Sequence, residues 1–278
     1  MKTSKPKRKS RIMRAKILGR HPAAPHPLGD LYAAKDRKTK KAVPHRALSE
    51  KKGKRKAAVT SIREMLVRHH ASPEMLAQSA HTGGAMKRLG FESQQARLSR
   101  FPRNPTTQKG NLAEILLAEY IVAACGAALP VYRLWSNTNP DQSMKGEDVL
   151  AFDLDSTPIR IIIGESKFRS TSSATAVIQI VDDLTRSYKG GLPASLQFVA
   201  DRLFERGETD LGLRVSQCAV VFARGTLRLD YVGMLLSDKL SEKRVHEATS
   251  NSLRRLAMLS LGIANPDSLV EACFAKLP

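Results

Sequence analysis

The sequence predicts an α/β fold, a small mixed sheet flanked by helices, with a basic extension at its N-terminus. Three observations predict it. Two runs rich in Val, Ile, Leu and Phe, 148–152 and 161–168, are separated by Asp153-Leu154-Asp155-Ser156-Thr157-Pro158, whose turn-forming residues fold the runs into an antiparallel hairpin. Helix-forming runs stand before and after that hairpin, at 111–124 and 174–187. Charge is the third: of the 46 Lys and Arg and 26 Asp and Glu, residues 1–110 hold 28 and 6, which leaves 18 and 20 for the rest. The whole positive excess is therefore N-terminal.

Residues 1–56 read as a basic, flexible arm, because many charges, several prolines and few large apolar side chains cannot offset the entropy of ordering. Its runs Lys5-Pro6-Lys7-Arg8-Lys9 and Lys51-Lys52-Gly53-Lys54-Arg55-Lys56 are dense enough to attract a polyanion. Nucleic acid is the favoured partner, through non-specific contacts that weaken steeply with salt; a solubilising tail or an arm for an acidic protein is the competing reading. Residues 57–104 form a small helical segment. A helix over 57–70 presents Val59, Ile62, Leu66 and Val67, a loop follows at Ser79-Ala80-His81-Thr82-Gly83-Gly84, and a second helix runs over 85–100. His69 and His70 read as exposed helix residues, since adjacent helical positions point apart and neither a Cys nor a third His stands at ligand spacing.

The remaining stretch, 105–278, is expected to be the catalytic domain. Asn111 to Ala124 is apolar nearly all round and so buried, with Glu114 in its first turn, where the helix dipole favours an acid, and Glu119 rotated away from it. After the hairpin, Ser170-Thr171-Ser172-Ser173 offers N-caps to a helix over 174–187 with Val177, Ile178, Val181 and Leu184 as its apolar positions. Gln179 of that helix either faces the site or, more simply, water. A strand is expected at Gln217–Phe222, another at Arg228–Met234, a long helix over Ser241–Leu261 and a short closing helix over Ser268–Leu277. Arg254 and Arg255 would lie on a solvated helix face or touch DNA, and Lys189-Gly190-Gly191 is a turn rather than a nucleotide loop.

Strand periodicity supplies the chemistry. Ile161, Ile163, Glu165 and Lys167 share one face of their strand, as do Asp148, Leu150 and Phe152, and folding the hairpin brings Asp148 near Glu165. Carboxylates at the mouth of an apolar sheet are costly unless something compensates their charge. Mg²⁺ prefers oxygen ligands and compensates two carboxylates well, with Mn²⁺ as a substitute; Lys167 then orients a water or steadies a phosphoryl oxygen, and Glu114 offers a further ligand. The plain alternative is a surface ion pair between Glu165 and Lys167, worth roughly 0–1 kcal/mol.

The order helix, hairpin with Asp and Glu-x-Lys, helix resembles the PD-(D/E)xK nuclease superfamily and its restriction-endonuclease-like core. Asp148, Glu165 and Lys167 match the motif, and Glu147 stands where its proline would be. The segments Lys109-Gly110-Asn111-Leu112-Ala113-Glu114, Gly146-Glu147-Asp148 and Ile163-Gly164-Glu165-Ser166-Lys167-Phe168 are also similar to the nuclease domain of the HamA family, effectors of Hachiman anti-phage defence. That resemblance implies metal-dependent DNA cleavage by Glu114, Asp148, Glu165 and Lys167, beside a helicase partner of the HamB type that restrains the nuclease. Two other readings stand open: a nuclease-fold subunit that binds nucleic acid without cutting, and an RNA-directed nuclease.

No run approaches the roughly 18 apolar residues of a membrane span, and the basic N-terminus lacks a secretory apolar region. Cys125, Cys218 and Cys273, odd in number and in apolar surroundings, read as buried thiols of a reducing compartment, the cytoplasm.

Overall fold

The computed structural model describes residues 17–95, 98–275 and 277. A short helix α1 (Pro27–Leu31) leads into strands β1 (Tyr32–Lys38) and β2 (Pro44–Glu50). Helices α2 (Arg55–His70), α3 (Pro73–Arg88), the single turn α4 (Glu92–Gln95) and the long α5 (Pro105–Cys125) follow. Strands β3 (Val149–Asp153) and β4 (Arg160–Phe168) form the hairpin, and α6 (Ala174–Gly190), α7 (Leu196–Glu205) and α8 (Thr209–Ala223) come next. The chain closes with β5 (Arg228–Ser237), α9 (Ser241–Ala248), β6 (Leu256–Gly262) and α10 (Pro266–Phe274).

Among the described residues the strands form one six-stranded mixed sheet in the order β1-β2-β6-β5-β4-β3. Its four central strands run parallel, and the outer strands β1 and β3 pair antiparallel to their neighbours. Helices cover both faces. On one, α2, α5 and α10 pack through Ile62, Leu116 and Leu269 onto Ile162, Val232 and Leu259. On the other, α6, α7 and α8 pack through Ile180, Leu203 and Val215 onto Ile161, Ile163 and Leu235. Ile161, Ile162 and Ile163 are fully buried, each worth about 1.5–3 kcal/mol relative to exposure. This layered sheet is compatible with the expected restriction-endonuclease-like core.

The expected arm differs from what forms. Residues 1–16, with the first basic run, lie outside the described residues, but from Pro27 onward the segment is built into the sheet. Buried Arg46 donates to Asp36 (2.5 and 2.8 Å) and to the Tyr120 hydroxyl of α5 (3.2 Å), which His21 Nδ1 also meets at 2.9 Å. These links, with Leu31, Tyr32 and Leu48 in the core, order a segment whose composition predicts none. The boundaries at 56 and 104 therefore cut through one sheet and its covering helices. Part of the second basic run is consumed locally: Lys51 donates to the Gly29 carbonyl (2.7 Å), Lys54 pairs with Asp30 (2.9 Å) and Arg55 with Glu50 (2.7 Å).

Four further expectations are corrected. The loop expected at 79–84 lies inside α3, which Ser72 caps by accepting from Met75 N (3.2 Å) with Pro73 at the first turn. The helix expected over 85–100 does not form as one piece; α3 ends at Arg88 and Gly90 turns the chain with φ +80°. Gln217–Phe222 is the C-terminal part of α8, where Val215 and Cys218 face inward three residues apart while Val220 and Phe222 stay exposed. The long helix over 241–261 stops at Ala248, and Leu256–Gly262 is β6, buried on both faces between β2 and β5. A strand buried on both sides loses period-2 alternation, so its leucines mimic a helical stripe. Arg255, expected on that helix, pairs instead with the wholly buried Asp230, as do Arg160 (2.6 Å) and Arg228 (2.9 Å).

Candidate active site

Hairpin register builds the site. Val149 faces Gly164, so the preceding Asp148 stands opposite Glu165. Ser166 holds Asp148 in place, donating its backbone N–H (2.9 Å) and its hydroxyl (3.0 Å) to Oδ2. Helix α5 reaches the hairpin closely because residue 164 is glycine: a Cβ there would lie 2.8 Å from Val149 Cβ and 3.0 Å from Leu117 Cδ2. That approach brings Glu114, one turn before Leu117, into the field of Asp148 and Glu165.

Glu114 is not in a first turn. Asn104 caps α5 by accepting from Thr106 N (2.8 Å), and Pro105 starts it, so Glu114 sits well inside the helix, where the dipole does not explain an acid. It is nearly buried, with Arg133 Nε 3.3 Å from Oε1. Burial, together with the charges of Asp148 and Glu165, pushes its carboxyl up to about 8 against the pull of Arg133. Glu165 is likewise pushed up to about 8, by burial first and then by Asp148, with Lys167 opposing. Two carboxyl groups thus stand well above their ordinary range because each faces like charge in a dry setting.

Lys167 bridges two acids. Its ammonium pairs with Glu165 on its own strand and with Asp183 Oδ2 of α6 at 2.9 Å. Burial alone would lower the lysine's pKa, but these two partners outweigh it and raise it. Asp183 moves the other way: burial raises it, and hydrogen bonds with Lys167 and Glu165 outweigh that and lower it. Asp183 was missed in the sequence, although a carboxylate three residues after the buried Ile180 and beside the buried Leu184 is the available signal. Gln179 faces outward and accepts from Arg169 (2.9 Å).

Glu147, in the place of the motif's proline, has a separate task. Its carboxylate accepts from Ser195 Oγ (2.6 Å), Ser195 N (3.0 Å), Ala194 N (3.0 Å) and Ser187 Oγ (3.2 Å). These bonds tie the strand entrance to the start of α7, and they lower the Glu147 pKa although burial works to raise it. Gly146 before it has φ +108°, and a Cβ there would meet Ser195 Oγ at 2.6 Å, so this tie needs glycine.

His69 and His70, expected to be exposed, are both buried. His69 Nε2 meets Glu119 at 2.7 Å, and Arg68 pairs with the same carboxylate at 2.7 Å, which accounts for Glu119 apart from the site. His70 donates from Nδ1 to the Leu66 carbonyl (2.8 Å) and accepts at Nε2 from Asn111 (3.0 Å), clamping α2 to α5 one turn before Glu114.

Asp148 and Glu165, with Glu114 in their electrostatic field, are oxygen donors under electrostatic pressure, the chemistry that suits a hard divalent cation. Among the described residues no group of three or more His, Cys, Asp or Glu stands close enough together to hold a metal ion; the Lys167 ammonium compensates Glu165. Cys218 and Cys273 are buried free thiols and Cys125 is a half-buried one, and no described helix is long and apolar enough to cross a membrane.

The HamA family model matches residues 30–277. A relative described as Hachiman protein HamA, from Bacillus cereus, is 34% identical over 230 residues, covering 83% of this chain and 83% of its own. The match begins at Asp30, so it takes in the β1–β2 hairpin as well as the site. The chain belongs to the HamA family.

Proposed function

We propose that this protein is a metal-dependent deoxyribonuclease of a Hachiman-type anti-phage system, working with a helicase partner that restrains it. The observation that carries the reading is the opposition of Asp148 and Glu165 across the hairpin, with Lys167 two residues on and Glu114 within the electrostatic field of both carboxyls. Membership of the HamA family supplies the defence context.

Asp148 and Glu165 would hold Mg²⁺, with Glu114 completing or adjusting its shell. When bound, the cation lowers the pKa of a water and stabilises charge growing on the scissile phosphate. Ser166 keeps the Asp148 carboxylate fixed, so the donor set is oriented before substrate arrives. Lys167 moves from compensating Glu165 to positioning the nucleophile and the phosphoryl oxygen, while Asp183 retains its hold on the ammonium. Arg133 braces Glu114 and, through the carbonyl oxygens of Met144 (2.8 Å) and Glu147, the approach to β3.

One observation favours a second reading, a nucleic-acid-binding subunit that does not cut: the Lys167 ammonium already neutralises Glu165. Supercoiled, linear and single-stranded DNA, incubated with the full chain in Mg²⁺ or EDTA, separates the two. Cleavage in Mg²⁺ alone that vanishes in Glu165→Ala and Lys167→Ala is expected. DNA binding without cleavage, in the presence of the partner as well, would leave the silent subunit.

A further inference from the structure

Beside the carboxylates lies a cavity of about 280 Å³ that the metal chemistry does not use. Glu114, Glu147, Asp148 and His69 belong to its lining, and much of the remaining wall is apolar, from Leu129, Val131, Tyr132 and Phe198. Tyr132 and Phe198 are half-buried. Two cations belong to the same lining. Lys145 is exposed at the rim with no ion-pair partner among the described residues. Arg133 spends its terminal nitrogens on two carbonyl oxygens, leaving its buried Nε without a hydrogen bond, although Glu114 is 3.3 Å away.

A largely apolar chamber whose lining also holds aromatic rings, cations and the proposed metal-binding carboxylates Glu114 and Asp148 has a distinct chemistry. It suits a flat ring joined to a phosphate. Its volume approaches the lower end of small-ligand sites (~300 Å³) and is far too small for a paired duplex segment. Bases stack on aromatic side chains with little regard for sequence, at about 1–3 kcal/mol each. A base inside a duplex cannot reach such a chamber unless it leaves the stack, which costs a few kcal/mol, whereas an unpaired base enters freely.

We propose that this cavity receives the unpaired base of a nucleotide adjoining the scissile phosphate, which makes single-stranded or locally unpaired DNA the preferred substrate. The proposal rests on the nuclease reading above for the position of the phosphate. Lys145 meets the flanking backbone, and Phe198 and Tyr132 supply the apolar contact that replaces base stacking.

The test uses the full chain carrying Lys167→Met, to suppress cutting, in Mg²⁺, with a deoxyoligonucleotide of about 20 residues holding one 2-aminopurine, alone or annealed to its complement. Single-stranded probe should bind at least tenfold more tightly than duplex, with a change in 2-aminopurine fluorescence. Val131→Trp, which fills the chamber, should weaken single-strand binding about tenfold. Phe198→Ala, which removes a wall without adding bulk, should weaken it several-fold, and thermal melts of both variants identify any that fail to fold. Equal binding of single and double strands, or wild-type binding by folded variants of both kinds, overturns the proposal. A parallel cleavage arm with unmutated Lys167 keeps the two ideas apart. Equal cutting of blunt duplex and single strand would remove the base pocket and leave the nuclease, whereas base uptake without cutting would do the reverse.

Discussion

Protonating His70 should loosen the protein where its site is mounted. In the folded state burial pushes this imidazole down to about 4, with the Leu66 carbonyl opposing and the His69 charge assisting. Its Nε2 accepts from Asn111, so a proton there turns an acceptor into a donor facing a donor. The ordinary histidine value is 6.5, so the unfolded chain takes up a proton as pH falls through 6.5 while the folded chain resists until about 4. The contribution is whole above 6.5 and declines below it, by up to about 1.4 kcal/mol per pH unit, or about 3 kcal/mol by pH 4. Urea unfolding at several pH values between 7 and 4.5, in wild type and His70→Gln, isolates this residue. Other titrating groups, such as His45 with a value near 4, cancel in the comparison. The variant should lose less stability than wild type as pH falls. Parallel curves over that window would refute the clamp.

Four other outcomes are expected. Asp230→Asn should destabilise the fold by roughly 3–5 kcal/mol in denaturant melts, because it unpairs arginines around a fully buried carboxylate. Gly164→Ala should cost about 1–3 kcal/mol and depress cleavage, since the new methyl must push Val149 or Leu117 aside. Asp183→Asn should leave the melt nearly unchanged but slow cleavage about tenfold, the scale of one weakened positioning contact of ~1.4 kcal/mol, read in single-turnover assays. Divalent-cation binding and cleavage should strengthen as pH rises from 6 toward 8, because Glu114 and Glu165 must lose protons held up to about 8 before they can ligate; a flat profile would argue against their role.

The hairpin was legible because its signals are local: turn residues between apolar runs, and a two-residue period that fixes which side chains share a face. That folding predicts Asp148 near Glu165, and the strand register sets the two directly opposite. Glu114 could be named, but its environment could not, since Arg133 and the close approach at Gly164 come from separate elements. β1 was hidden because only Tyr32 in it is buried, and β2 because its buried residues include His45 and Arg46. Such polar positions read as arm until Ser260 is seen to meet His45 Nε2, and Asp36 and Tyr120 to accept from Arg46. His69 and His70 were misplaced for the same reason, their partners Glu119 and Asn111 lying on another helix. Asp183 joined the site only through the packing of α6 against β4.

The most direct measurement is calorimetric titration of Mn²⁺ or Mg²⁺ into the full chain at pH 8, beside Asp148→Ala and Glu165→Ala. If these carboxylates hold the catalytic cation, wild type gives a saturable heat that both variants lose while keeping their melting temperatures. The same heat from all three proteins, or none from wild type, would contradict the metal site at the β3–β4 hairpin.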